Sequence, residues 1–146
     1  MTDRAGAFGA IYLPALRRIR DLWLELEPLV DDARYDDPVD PAELQIDLSD
    51  GLLAADCARL DVQWSEFDNY TFHYSDDLGL NWRFDRHPNH HAPDAHFHPP
   101  PDASDSVPSC IGVQEVSLVG RAVHALWRTA YDGGDLSVLN DATDPP

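Results

Sequence analysis

The chain contains no lysine. Its 10 basic residues are all arginine, set against 22 aspartates and only 5 glutamates, and the formal net charge is −17 over 146 residues. Cysteine is scarce as well. Cys57 and Cys110 cannot build a disulfide-stapled framework, and they are no close metal-ligand pair. Long apolar runs are missing, and none nears the roughly 18 residues that cross a bilayer. The first residues lack the basic start, apolar stretch and small-residue cleavage site of a signal peptide. These absences predict a cytoplasmic protein without membrane contact.

The charge has to be read by residue type. Carboxylates repel phosphates, so such acidity ordinarily argues against nucleic acid. A lysine-free, aspartate-rich surface also keeps a protein solvated in very high salt. There the Debye length falls to about 3 Å and the repulsion is screened. The composition is therefore read as adaptation to a halophilic, archaeal cytoplasm, and it leaves the substrate class open. It predicts loss of structure on dialysis from molar salt, followed by circular dichroism. Full stability in dilute buffer would refute it.

A hydrophobic fraction of 43% suffices for one core. The length predicts a single domain over residues 1–131 and a mobile acidic tail over 132–146. From Ile11 to about Val30, apolar residues recur every three or four positions (Ile11, Ala15, Ile19, Leu22, Trp23, Leu26), which predicts a helix with Pro14 in its first turn. Asp31 to Pro41 reads as an acidic loop. The period then shortens to two. Strands are predicted at Leu44–Leu48, Leu60–Trp64, Asn69–Ser75 and Leu80–His87. His87 to Pro108 follows neither period, and Gly112 to Tyr131 returns to helix. The fold class is α+β: an antiparallel sheet of about four to five strands, with the N- and C-terminal helices packed on its aromatic face.

The hairpin over residues 70–85 carries the most information. Tyr70, Phe72 and Tyr74 point one way, as do Leu80, Trp82 and Phe84 on the next strand. Both apolar sets must share a face. A three-residue loop, Asp77-Leu78-Gly79, with Gly79 in the left-handed region of a bulge turn, supplies that register. His73 then lies across from Arg83, Thr71 from Asp85, and Ser75 from Asn81. A two-residue loop would slip the register by one and set aromatics opposite polar groups. One face thus carries an imidazole, a guanidinium and a carboxylate as neighbours. The same pattern also fits a solvated outer face with ordinary cross-strand pairs.

Five of the seven histidines follow within twelve residues, His87, His90, His91, His96 and His98. Three readings compete. They bind a divalent transition metal, with His96 and His98 joined by His87, His90 or His91. They transfer protons, since imidazole titrates near working pH. Or they belong to a solvated loop. No spacing matches a zinc finger or a metalloprotease helix. His124, on the last helix, reads as a boundary residue.

The order Tyr70-Thr71-Phe72-His73, then Arg83-Phe84-Asp85, then His90–His91 and His96-Phe97-His98-Pro99 resembles the TumE-type toxins over about residues 60–131. The resemblance implies a toxin restrained by an antitoxin, a DNA-binding helix-turn-helix protein encoded beside it, and ribonuclease activity. The residues match that chemistry. Metal-independent RNA cleavage needs a base for the 2′-hydroxyl, an acid for the leaving 5′-oxygen and a cation for the phosphorane charge. His73, Arg83, Asp85, His96 and His98 are the candidate catalytic residues, with Asp85 orienting an imidazole or holding Arg83. Arg86, His87, His90 and His91 are the candidate substrate contacts. No cofactor is expected; a metal, if used, would take His87, His91, His96 and His98. The alternative is a non-catalytic metal- or partner-binding regulatory module.

Overall fold

The computed structural model describes residues 8–87 and 95–141. Helix α1 spans Leu13–Leu26, with Pro14 near its start and Ala15, Leu16, Ile19, Leu22 and Trp23 on its buried face. It stops four residues earlier than the periodicity suggests. Glu27 precedes Pro28, and the residue before a proline is pushed out of the helical region. Glu27 is extended (φ −114°, ψ 107°), although its N–H still reaches the Trp23 carbonyl. The chain goes directly into β1 (Val30–Tyr35), placed where the sequence predicts a loop. Within VDDARY only Ala33 is buried, so no alternation betrays the strand.

The remaining strands are β2 (Leu44–Leu48), β3 (Ala58–Trp64), β4 (Tyr70–Asp76), β5 (Asn81–Arg86), β6 (Ala95–His98) and β7 (Val107–Pro108). They form one antiparallel sheet in chain order, seven strands against the four to five predicted. The extra strands are β1, β6 and β7. The last two are four and two residues long and frame a proline-rich turn, so neither carries a period of its own. What makes β6 a strand is tertiary: Phe97 pairs with Phe84, and both are buried.

The β4–β5 register is the predicted one, with Thr71 opposite Asp85, Phe72 opposite Phe84, His73 opposite Arg83, Tyr74 opposite Trp82 and Ser75 opposite Asn81. Gly79 takes φ +86° in the turn. Asp76 closes that turn, its Oδ1 accepting the N–H groups of Leu78 and Leu80 at 2.9 and 3.1 Å.

Helix α2 (Val116–Gly133) is capped by the Glu115 carboxylate, which accepts from Leu118 N–H, and ends on Gly134 at φ +62°. It packs with α1 on the aromatic sheet face. Trp23, Trp64, Trp82, Trp127, Tyr70, Tyr74, Phe72 and Phe84 fill the core between them. The segment after α2 is not a free tail as far as Asp141. Leu136–Asn140 form a short 3-10 helix, Leu139 is buried, and Asn140 accepts from Cys110 N–H and donates to the Pro108 carbonyl. One apolar anchor and one bidentate amide outweigh the acidic composition there. Residues 142–146 lie outside the described part. No described helix is long and apolar enough to cross a membrane.

Candidate functional site

The sheet face away from the helices carries the chemistry. In register across six strands lie Arg34, Gln45, Asp61, His73, Arg83 and His98. The next row holds Gln63, Thr71, Asp85 and His96. Alternation along β4, β5 and β6 puts all of these on one side, because Phe72, Phe84 and Phe97 between them are buried on the other.

Asp85 is the hub. It is only 5% exposed although it sits on the polar face. Its Oδ2 accepts from Arg83 Nε at 2.7 Å and lies 2.9 Å from His98 Nε2. Arg83 Nη2 is in turn 3.3 Å from His98 Nε2. The other ring nitrogen of His98, Nδ1, is 2.9 Å from the carbonyl oxygen of Asp105 in the β6–β7 loop. His98 Nε2 thus sits between the Asp85 carboxylate and the Arg83 guanidinium, while Nδ1 faces a backbone carbonyl. Arg83, Asp85 and His98 form one hydrogen-bonded unit that is buried at Asp85 and partly open at Arg83, whose side chain is 35% exposed.

His73 stands beside this unit, between Asp61 on β3 and Arg83 on β5. Its Nε2 is 3.3 Å from Asn81 Oδ1. His96 lies across from Asp85. His87 follows β5 directly, and its Nε2 is 3.9 Å from Asp85 Oδ1, an oxygen that is buried and has no hydrogen-bond partner among the described residues. Burial lowers the His87 pKa below the ordinary histidine value. Asp85 pulls it back up, while the charges of Arg83, His96 and His98 press it further down. The Phe8 ring leans on His87 with centroids 5.4 Å apart.

The structure thus brings together His73, Arg83, Asp85, His96 and His98, with His87 at the rim. It sets Arg86 apart. Alternation turns Arg86 to the helix side, where its Nη1 donates to the Asp68 carbonyl at 3.0 Å and lies 3.4 Å from Asn69 Oδ1. A role as accessory phosphate ligand beside Arg83 does not fit that direction. His90 and His91 fall outside the described residues. Among the described residues no group of three or more His, Cys, Asp or Glu side chains is arranged to hold a metal ion. Of the suggested metal set His87, His91, His96 and His98, His91 is not among the described residues.

Two participants escape a reading of the sequence. Asn81 was legible only as the residue opposite Ser75, yet it reaches diagonally to His73. The Asp105 carbonyl is backbone on a loop, and no side-chain pattern announces it. The Pro99–Pro101 turn brings that loop back over β5, where Asn81 N–H donates to the Pro101 carbonyl at 2.8 Å.

No curated protein and no solved structure matched the chain. One family did: the toxin TumE family matches residues 16–131. The match takes in most of α1 and the first three strands as well as the stretch beyond residue 60 where the resemblance is legible. It also spans every described residue of the Arg83–Asp85–His98 unit and the neighbouring His73. On that match, which covers well over half of its length, the chain belongs to the TumE toxin family.

Proposed function

We propose that this toxin is an RNA-cleaving growth inhibitor, neutralised by a helix-turn-helix antitoxin. Membership in a toxin family implies an antitoxin partner; the cleavage chemistry is our reading of the site. The observation that carries it is the Arg83–Asp85–His98 unit with a second imidazole, His73, across from Arg83 on the same open face.

In this reading a phosphodiester lies against Arg83. His73 takes the proton of the 2′-hydroxyl, and the freed oxygen attacks phosphorus. The bond from phosphorus to the 5′-oxygen breaks, and His98 gives that oxygen a proton. The products are a 2′,3′-cyclic phosphate and a 5′-hydroxyl. Arg83 meets the charge that builds on the phosphorane, where a fixed cation contributes most. Asp85 holds both Arg83 and His98 in place. The buried flank of the site raises the strength of these interactions, and the high salt of a halophilic cytoplasm would screen the repulsion between RNA and the acidic surface.

The test is expression without the antitoxin. Wild type stops growth, and RNA from arrested cells carries cyclic-phosphate ends. Arg83→Ala or His98→Ala restores growth, with each variant lowering cleavage by at least about a hundred-fold. Growth arrest that persists undiminished in both variants would remove the site from the toxicity. Arrest without new cyclic-phosphate ends would instead point to another reaction at the same site.

A further inference from the structure

Asn81 is fixed from three directions. Its N–H donates to the Pro101 carbonyl at 2.8 Å, its Nδ2 donates to the Gly79 carbonyl at 3.4 Å, and its Oδ1 faces His73 Nε2 at 3.3 Å. The contact to Gly79 orients the amide, with Nδ2 toward the carbonyl. The oxygen is then the atom left for the histidine. An amide oxygen only accepts. His73 Nε2 therefore carries a proton, and in the neutral ring Nδ1 keeps the lone pair. The charged groups that flank His73 across the sheet are Asp61 on β3 and Arg83 on β5. Thr71 and Ser75, its same-face neighbours on β4, are uncharged.

We propose that Asn81 is a positioning residue that holds His73 in the Nε2–H tautomer, so that Nδ1 is the atom that accepts the 2′-hydroxyl proton. This rests on the ribonuclease reading above and deepens it. In the step, the O–H bond of the hydroxyl breaks and its proton passes to Nδ1. The ring becomes an imidazolium, and the bond from Nε2–H to Asn81 Oδ1 becomes charge-assisted and stronger. The gain exists only once the proton has moved. Asn81 thus favours the transition state over the bound substrate, and its removal acts on kcat rather than KM. The strand register explains the geometry. His73 pairs with Arg83, so the diagonal neighbour two residues back along β5 is Asn81, within reach of a ring but not of a shorter side chain.

The experiment is nitrogen-resolved NMR of the His73 ring in the full-length protein, run beside cleavage kinetics. In wild type the Nε2–H tautomer should dominate. Asn81→Ala should let the Nδ1–H form appear and lower kcat about ten-fold with KM unchanged. Asn81→Asp, whose carboxylate also accepts from Nε2–H, should keep a proton on Nε2 and guards against a folding defect in the alanine variant. A wild-type ring that is mainly Nδ1–H, or an Asn81→Ala ring that does not change, overturns the positioning role. A tautomer that shifts while kcat holds overturns its use in catalysis. A wild type that carries the expected tautomer but cleaves no RNA sinks the ribonuclease reading and, with it, the catalytic half of this proposal.

Discussion

Under the proposed ribonuclease chemistry, Asp85→Ala will lower RNA cleavage by at least about a hundred-fold, the scale of losing a placed acid or an electrostatic clamp. The effect is large because one carboxylate oxygen serves two partners. Arg83 Nε at 2.7 Å and His98 Nε2 at 2.9 Å both depend on Asp85 Oδ2. Without it the guanidinium is free to swing toward solvent, and the His98 ring loses its carboxylate partner at Nε2. Asp85→Asn separates charge from shape. The amide oxygen still accepts, but no longer as an anion, so an intermediate loss is expected. Thermal midpoints of both variants should be measured alongside, because Asp85 is buried and its removal also costs about 1–3 kcal/mol of stability. A folded Asp85→Ala protein that cleaves RNA at the wild-type rate would dismiss the unit as a structural pair.

The second large effect falls on stability and lies on the other side of the molecule. Glu27 is 2% exposed and sits where α1 gives way to β1. Its carboxylate accepts from Leu29 N–H at 2.9 Å, meets His124 Nε2 at 3.1 Å and takes Arg128 Nη1 at 3.2 Å. It ties the turn after α1 to the middle of α2. Glu27→Ala leaves three donors facing an empty, largely buried site. The expected loss is about 3 kcal/mol, or about 8 °C in Tm for a chain of this size. The figure stays at the low end of the range for buried pairs because Arg128 is one-third exposed and also lies over the Tyr131 ring, 5.1 Å from its centroid. Glu27→Gln, which keeps two acceptor sites but no charge, should lose less. Cleavage by the folded fraction should not change, since nothing in this cluster reaches the Arg83 face. A Glu27→Ala loss below about 1 kcal/mol would mean that His124 and Arg128 relax into solvent at no cost.

These two carboxylates also mark how far a one-dimensional reading reaches. Glu27 was legible only as a residue near a helix end, and His124 only as a boundary residue. Their pairing joins residues 97 positions apart. Period gave nothing to connect them. By contrast, the β4–β5 hairpin was readable residue by residue. Alternation there is strict, the loop is short, and only one register keeps Phe72, Tyr74, Trp82 and Phe84 on a common face. The pairing of His73 with Arg83 and of Thr71 with Asp85 follows from that constraint with no tertiary information.

Strands β1, β6 and β7 were beyond the same method for a physical reason. A strand is legible when its own side chains alternate between a core and water, and these segments bury one residue or none by themselves. They are strands because a neighbouring edge offers unpaired backbone groups, which is a property of the assembled sheet. The consequence for function is direct. Composition and local pattern settled the α+β class, the two helices, the hairpin and the polar identity of its outer face. Long-range pairing alone placed β6 beside β5, and so placed His98 against Asp85. Local periodicity is set by residues a few positions apart, whereas a site is a meeting of side chains whose distance in the chain carries no information about their distance in space.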